Sequence, residues 1–504
     1  MKILHVYPRT PDTFWSFRHA LQFISKKASF PPLSSITVAA MLPGEWQQKL
    51  VDLNVQTLKT RDLKWADYVF ISGMVVQKDS ALDVIARCNK LGKKVVAGGP
   101  LFTTEHEEIK GVDHYVLDEG EVTLPLFLKD LAAGCAKPVY TSPEKPSLEQ
   151  TPLPMWSLVD MKQYSSMCIQ YSRGCPFNCE FCDILTLYGR VPRTKTKEQM
   201  VAEFDTLYAR GWRGGIFVVD DNFIGNKKKI KAEILPSIIA WMKDHKYPFT
   251  LSTEASINLA DDTELLELMA EANFDQVFIG VETPNPESLA EAGKSQNQSI
   301  DMISAVKKMQ TYGLQVQGGF IVGFDNDPLS IFKNQIQFIQ KSGIVTAMVG
   351  LLNAPKGSRL YQRLKGEGRI LDSFDGDNVS CAMNFTPRMR LETLVDGYRH
   401  VMSTIYSPKS YYERVRTFMK EFKPRRNAGP GQLKPHHVQA LFLSVWRLGI
   451  IDKGRRYYWK LFWSTLFKRP RSFPLAITLS VYGFHFRKTA EQLFKPIRAK
   501  NAAR

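Results

Sequence analysis

Short apolar runs alternate with polar, helix-periodic stretches in the first third of the chain. Lys2–Tyr7, Lys49–Leu53, Tyr68–Ser72, Lys94–Ala97 and His114–Leu117 are compact apolar runs. Such runs read as strands covered on both faces. Lys78–Leu91 and Leu124–Ala133 carry the three- and four-residue spacing of helices. Asp12–Lys27 does too, with Asp12 placed as its N-cap, and Phe30-Pro31-Pro32-Leu33 reads as a loop. This β-α-β alternation predicts a doubly wound parallel sheet, a Rossmann-like α/β domain over residues 1–140. In such sheets ligands meet the carboxyl ends of the strands. Small or flexible residues gather there: Ser72-Gly73-Met74, Gly98-Gly99-Pro100 and Glu119-Gly120-Glu121.

Pro143, Pro146, Pro152 and Pro154, among polar neighbours, mark a linker over 141–160. A second series of alternations follows over 161–386. Its strands are Met167–Tyr171, Gly215–Val219, Phe249–Thr253, Gln276–Val281, Gln315–Val322 and Thr346–Leu351. Helical patterns at Lys197–Arg210, Lys227–Asp244, Asp262–Ala272, Ser299–Tyr312 and Pro328–Ser342 fill the gaps. Six repeats of this kind predict a (β/α) barrel or part of one, with its site at the carboxyl ends of the strands. The strand ends turn polar or glycine-rich: Asp220-Asp221-Asn222, Thr253-Glu254, Glu282-Thr283 and Gly318-Gly319-Phe320-Ile321-Val322-Gly323. Any one of these acids could be a helix cap or a solvated loop residue; four successive strand ends together point to a site.

The remainder, 387–504, is helical and basic. Pro387–Phe422 reads as helix, and Lys423–Gly431 as a basic hinge. The tail then mixes aromatic and cationic residues, as in Arg455-Arg456-Tyr457-Tyr458-Trp459-Lys460, and Ser472–Phe486 is uncharged and apolar.

Charge sharpens this division. From Arg388 to Arg504 there are 25 Lys/Arg against 6 Asp/Glu, an excess of 19 in a chain whose net charge is +17. The terminal segment therefore carries all of the basic excess, which suits a polyanionic partner. An anionic membrane surface fits basic aromatic helices; nucleic acid, or a helical cap packed on the barrel, competes. The first strand is too short for a signal-peptide core, and no charge-free apolar run reaches the length of a spanning helix. Seven cysteines, three of them clustered, do not make a secreted disulfide framework. A reducing cytoplasm is expected, with peripheral contact of 424–504 at the inner face of the membrane.

The clustered cysteines are Cys175, Cys179 and Cys182, spaced C-x3-C-x2-C in Arg173-Gly174-Cys175-Pro176-Phe177-Asn178-Cys179-Glu180-Phe181-Cys182. Soft thiolates suit an iron–sulfur cluster or zinc. Three of them leave one iron of a four-iron cluster open to a small molecule. Structural zinc needs a fourth ligand; Cys168 could supply it, although its place within a strand favours a small buried side chain.

The triplet, with an aromatic residue before its last cysteine, resembles the signature of the radical S-adenosylmethionine (SAM) enzymes. With the Rossmann-like domain upstream and the helical region downstream, the whole chain resembles the B12-binding radical SAM proteins, most closely the subgroup with a DUF4070-type C-terminal region that includes hopanoid C-2 methylases. The resemblance implies a partial (β/α)6 barrel holding a [4Fe–4S] cluster on the three cysteines. It implies SAM contacts at Asp220, Asp221, Glu254, Glu282, Gly319, Ile321 and Gly323. Arg190, Arg193 and Lys195 could meet the SAM carboxylate or the substrate, or be surface charges. In the first domain the resemblance implies cobalamin at Asp52, Asn54, Ser72, Gly98, Gly99 and Glu119. Many cobalamin domains carry D-x-H-x-x-G; Asp52-Leu53-Asn54-Val55-Gln56-Thr57 keeps the aspartate but has asparagine for histidine and threonine for glycine. Imidazole ligation from this motif is thereby excluded, and a degenerate domain that binds nothing or only positions substrate remains open. The implied activity is reductive cleavage of SAM to a 5′-deoxyadenosyl radical and methylation of an unactivated carbon on a small or lipid-like substrate. A flavodoxin- or ferredoxin-type donor would supply electrons. A cobalamin-independent radical rearrangement and a non-catalytic iron–sulfur or zinc protein are the alternatives.

Overall fold

The computed structural model describes residues 1–371, 374–424 and 435–493. They form two compact units: residues 1–11, 26–278 and 354–377, and residues 12–25, 279–353 and 378–504.

The first unit opens with a six-stranded parallel sheet. Its strands are β1 (Lys2–Tyr7), β2 (Gln47–Asp52), β3 (Tyr68–Ser72), β4 (Lys94–Gly98), β5 (His114–Val116) and β6 (Val139–Tyr140), ordered β2-β1-β3-β4-β5-β6. Alternate residues serve opposite faces. Leu4, Val6, Val69, Ile71, Val95 and Ala97 join Ala81, Val84, Ile85 and Cys88 of helix Lys78–Lys90 in one core. Ile3, Phe70 and Val96 join Phe127 and Tyr140 in the other. Each fully buried Val, Leu or Ile contributes about 1.5–3 kcal/mol, which explains why the central strands β3 and β4 carry apolar runs, while the edge strand β2 is polar over its first half. Helices lie where none was expected, among them Leu33–Met41, Thr60–Trp65 and Pro100–Glu105, the last entered through Gly99 at φ 87° with proline in its first turn.

The same unit continues with β7 (Ser166–Ile169), the hairpin β8 (Ser172–Arg173) and β9 (Arg193–Thr194), β10 (Gly215–Val218), β11 (Thr250–Ala255) and the start of β12 (Phe274–Glu282). The order is β7-β10-β11-β12, with β7, β10 and β11 in parallel register, Ile169 beside Val218 and Val218 beside Thr253. Helices Lys197–Ala209, Leu235–Asp244 and Thr263–Glu271 connect them.

The second unit takes the end of β12, then β13 (Gln315–Val322) and β14 (Ala347–Leu351), which are parallel. The expected helix Asp12–Lys27 is instead three short turns, Phe14–Ser16, Arg18–Leu21 and Gln22–Ile24, interrupted by left-handed Phe17 and Ser25 (φ 49° and 54°). A left-handed non-glycine residue costs about 1–2 kcal/mol. Aromatic packing offsets it: Phe14 stacks on Phe486 at 4.3 Å and Phe17 on His485 at 5.3 Å, both on helix Phe473–Gln492. Asp12 is no helix cap; its carboxylate accepts from Ser16 and Gln492.

The expected helix 387–422 divides into Leu391–Ile405 and Pro408–Glu421, because Pro408 cannot donate and Ser407 caps the new start. Arg414 is fully buried here and donates to Gln340 and to the carbonyls of Ile405 and Val345. The apolar stretch 472–486 lies mostly within helix Phe473–Gln492, whose Leu479, Val481 and Phe486 are core. The hinge from Arg425 onward and residues 494–504 lie outside the described residues. Among the described residues no helix is long and apolar enough to cross a membrane.

Candidate active site

The cysteine loop follows β7 and is held by the ends of its neighbours. Asp220, at the end of β10, accepts from the Tyr171 amide at 2.8 Å and from the Ser172 hydroxyl at 2.6 Å. Asp221 accepts from the Gly174 amide at 3.1 Å. Asn222 lies 3.9 Å from Cys175 Sγ through its amide nitrogen, and its oxygen accepts from the Ser256 amide after β11. Three consecutive residues thus tie the loop to two strands. Burial pushes Asp220 up to about 7 and Asp221 up to about 6, although each accepts hydrogen bonds that favour its charged form.

Gly174 sits at φ 92°, and a Cβ there would come within 3.0 Å of the carbonyl oxygens of Gly189 and Val191. Only glycine fits such a turn without strain. Cys179 is buried, and Cys175 and Cys182 are half-buried. Among the described residues no three His, Cys, Asp or Glu side chains converge on a point for a single metal ion. Cluster thiolates each bind a different iron and so surround a volume rather than a point. The donor set of three thiolates on one strand-end loop fits a cluster with one open iron. Cys168 is apart from them, buried within β7, with its thiol on the Pro31 carbonyl at 3.4 Å.

Glu254 lies half-buried near the end of β11, on the strand that follows Asp220 and Asp221 in the sheet. The other residues expected at SAM belong to the second unit. Glu282 ends β12 at φ 64° and is paired with Lys294 at 2.6 Å; a Cβ at Gly280 would occupy the space of that pair. Gly319 is buried and Ile321 half-buried in β13, while Gly323 turns out of it at φ 108° with its amide on Asp327.

Of the three basic residues after the loop, Arg190 is exposed, whereas Arg193 and Lys195 are not surface charges but are held in ion pairs. Arg193 makes a bidentate pair with Glu119 at 2.8 Å, and Lys195 pairs with Glu203 in the interior. Arg173 donates to Glu119 at 2.9 Å and to Glu121 at 2.8 Å. The start of helix Gly120–Ala132, after β5, therefore clasps the hairpin that carries the cysteines, with Glu119 as its N-cap residue and Glu121 in its first turn. Burial opposes these charges, but Arg173 holds Glu121 down to about 2 and is itself held above its ordinary range. Sequence reading noted Glu119, Glu121 and Arg173 separately; their pairing left no local signal.

At the strand ends of the first sheet, Ser72, Gly98 and Gly99 meet. A Cβ at Gly99 would lie 2.9 Å from Ser72 Oγ, and one at Gly98 would lie 2.6 Å from the Val116 carbonyl. Asp52 and Asn54 are engaged with each other and with neighbouring segments: Asp52 accepts from Asn54 and from Tyr164, while Asn54 accepts from Thr10 and donates to Pro8. Glu119 is turned away, into the arginine pairs.

The model of the Radical SAM superfamily matches residues 169–339, and that of a domain of unknown function, DUF4070, matches 358–499. An uncharacterized methyltransferase of Synechocystis sp. is 41% identical over 96% of this chain and 91% of its own length. The hopanoid C-2 methylase of Rhodopseudomonas palustris is 33% identical over 91% of this chain and 88% of its own. Among solved structures, the cobalamin-dependent SAM radical enzyme OxsB, with aqua-cobalamin bound, is similar with a TM-score of 0.64 at 14% identity, covering 97% of this chain and 80% of that one. That likeness is one of fold.

Proposed function

The chain belongs to the B12-binding radical SAM family and is a radical SAM enzyme of the DUF4070 subgroup; on this premise we propose that it methylates an unactivated carbon of a lipid-like or other small-molecule substrate, with cobalamin as methyl carrier. When bound, the cluster and SAM supply a carbon-centred radical and cobalamin supplies a transferable methyl group. Cys175, Cys179 and Cys182 would hold the cluster. Asp220 and Asp221 fix the loop they stand on, and Asp221 and Glu254 are the carboxylates suited to the ammonium and sulfonium of SAM. Glu282 and the Gly319-Ile321-Gly323 strand end are assigned to its ribose and adenine. Ser72, Gly98 and Gly99, side-chain-poor strand ends that lie close together, would face the corrin ring, and Asp52 and Asn54 belong to the same sheet end with no imidazole among these residues.

The observation that carries this reading is the clasp of Glu119 and Glu121 on Arg173 and Arg193. It fixes the nucleotide-type sheet directly to the cluster loop, as methyl transfer between two cofactors requires. Methyltransferase relatives support the reaction class. An electron donor of flavodoxin or ferredoxin type and a location at the inner face of a membrane complete the proposal. A cobalamin-independent radical rearrangement is the second reading, favoured by Asn54 standing where histidine ligands occur.

Anaerobic reconstitution with iron, sulfide and hydroxocobalamin, followed by SAM and dithionite, tests both. Methylation requires 5′-deoxyadenosine, S-adenosylhomocysteine and a retained corrinoid absorption band. A four-iron protein that forms 5′-deoxyadenosine but retains no corrinoid favours the second reading. Lipid profiles of a deletion strain would identify the methylated product.

A further inference from the structure

The C-terminal region carries two rows of bulky apolar residues that are largely exposed. Helix Pro435–Ser444 runs on into Val445–Ile451. Along it Val438, Phe442, Trp446 and Ile450 recur every four residues and are 44%, 70%, 57% and 49% exposed. Residues four apart share one face of a helix. On helix Arg455–Lys468 a second row follows the same spacing. Trp459 stacks on Trp463 at 5.8 Å, Trp463 stacks on Phe467 at 5.7 Å, and Phe467 is 75% exposed. The two helices meet where Trp459 donates its indole N–H to the carbonyl of the buried Gly449 at 2.9 Å.

Cations surround them. Residues 435–471 contain eight Lys/Arg and one acid, Asp452, which is paired with Arg487 at 2.6 Å. Lys453, Arg455, Arg456, Lys460 and Lys468 are exposed.

We propose that these two helices form an interfacial docking surface for an anionic phospholipid bilayer, the aromatic rows entering the headgroup region and the cations meeting lipid phosphates. Bulky apolar side chains exposed within a single-sign cationic surround match a monotopic membrane surface. Trp at headgroup depth and Lys or Arg toward anionic lipid follow the same physics. A second copy of the chain would set cation against cation. Nucleic acid would use open ring faces for stacking, whereas Trp459, Trp463 and Phe467 cover one another's faces, and Ile450 and Ile451 offer no stacking surface. The surface goes beyond the methylation reading and does not depend on it, since its test needs neither SAM nor cluster turnover.

The full chain is sedimented with vesicles of phosphatidylcholine alone and of phosphatidylcholine containing phosphatidylglycerol. Binding is expected to the anionic vesicles, with a blue shift of Trp fluorescence and quenching by brominated lipid. The combined variant Phe442→Ser/Trp463→Ser/Phe467→Ser should weaken binding by about tenfold or more while thermal melting, monitored by circular dichroism, stays unchanged. The variant Lys453→Glu/Arg456→Glu/Lys460→Glu should remove the preference for anionic lipid. The proposal is overturned if the native chain ignores both vesicle types or binds them equally. It is also overturned if both variants bind as the native chain does, or if the aromatic variant dissolves a dimer without affecting vesicles. RNA binding that both variants abolish, with no vesicle binding, would assign the surface to nucleic acid instead.

Discussion

Arg173, two residues before the first cysteine of the triplet, donates to Glu119 at 2.9 Å and to Glu121 at 2.8 Å. All three side chains are nearly buried, at 12%, 2% and 4% exposure. Breaking a buried pair from one side leaves uncompensated charge, at a cost of about 3–5 kcal/mol. Arg173→Met should therefore lower the free energy of unfolding measured in urea by an amount of that order and reduce the iron bound per chain after reconstitution. Arg173→Lys keeps the charge but loses the fork, and should fall between. A stable Met variant with full iron content would show the clasp to be dispensable.

Two carboxylates should give opposite pH slopes. Glu121 is held near 2, below its ordinary 4.5, by Arg173 against burial. Its contribution to stability is complete above pH 4.5 and is lost as pH falls toward 2. Asp220 is raised by burial from 3.8 to about 7. Its folded form is best protected below pH 3.8, and stability declines as pH rises toward 7. Glu121→Gln should flatten the acid limb of stability against pH, and Asp220→Asn the limb between about 4 and 7. Urea unfolding at a series of pH values reads both.

Cys175→Ala, Cys179→Ala and Cys182→Ala should each abolish 5′-deoxyadenosine formation and the absorption of the cluster. Cys168→Ala should retain both, with a stability loss of about 1 kcal/mol from the vacated core volume. Loss of the cluster on substitution of Cys168 would restore it as a ligand.

Gly174→Ala places a methyl group 3.0 Å from two carbonyl oxygens in a left-handed turn. Strain of about 1–3 kcal/mol is expected, concentrated on the cysteine loop. Reconstituted iron should fall more steeply than global stability, which iron and sulfide assays beside a thermal melt would show.

Asn54 is engaged by Thr10, Pro8 and Asp52. Asn54→Ala should destabilise that loop by about 1–3 kcal/mol yet leave the spectrum of bound corrinoid unchanged. A shifted cob(II)alamin EPR signal in the variant would show that Asn54 reaches the cobalt.

Much of this molecule was legible in its sequence, for identifiable reasons. Most strands of both sheets declared themselves because burial on two faces demands unbroken apolar runs, as in Val69-Phe70-Ile71, whereas the two-residue β6 is too short to leave a pattern. The cysteine loop and the acids of β10 were legible because local spacing encodes them. What escaped reading depends on residues distant in the chain. Asp12–Lys27 has helical spacing, but its rings pack on Phe486 and His485, some 470 positions later, and that contact breaks the helix. The partners of Arg193 and Asp220 are of this kind: Glu119 lies 74 positions from Arg193, and Tyr171 and Ser172 lie 49 and 48 positions from Asp220. The apolar run 472–486 is largely interior, while the exposed apolar residues lie earlier, at 438–467, among charges that hide them from a hydropathy reading.

The shared carboxylate of Glu119 has a thermodynamic corollary. Because one side chain anchors both Arg173 and Arg193, order in the 117–121 segment and order in the cysteine hairpin are not independent variables. A ligand that stabilises either segment lends part of its binding free energy to the other, and linkage makes the exchange symmetrical. Whatever factor iron–sulfur loading adds to the affinity of the first sheet for its own ligand, that ligand must return to the affinity of the hairpin for iron and sulfide. Assembly of the two halves of the site is then cooperative, with the coupling set by four charged side chains.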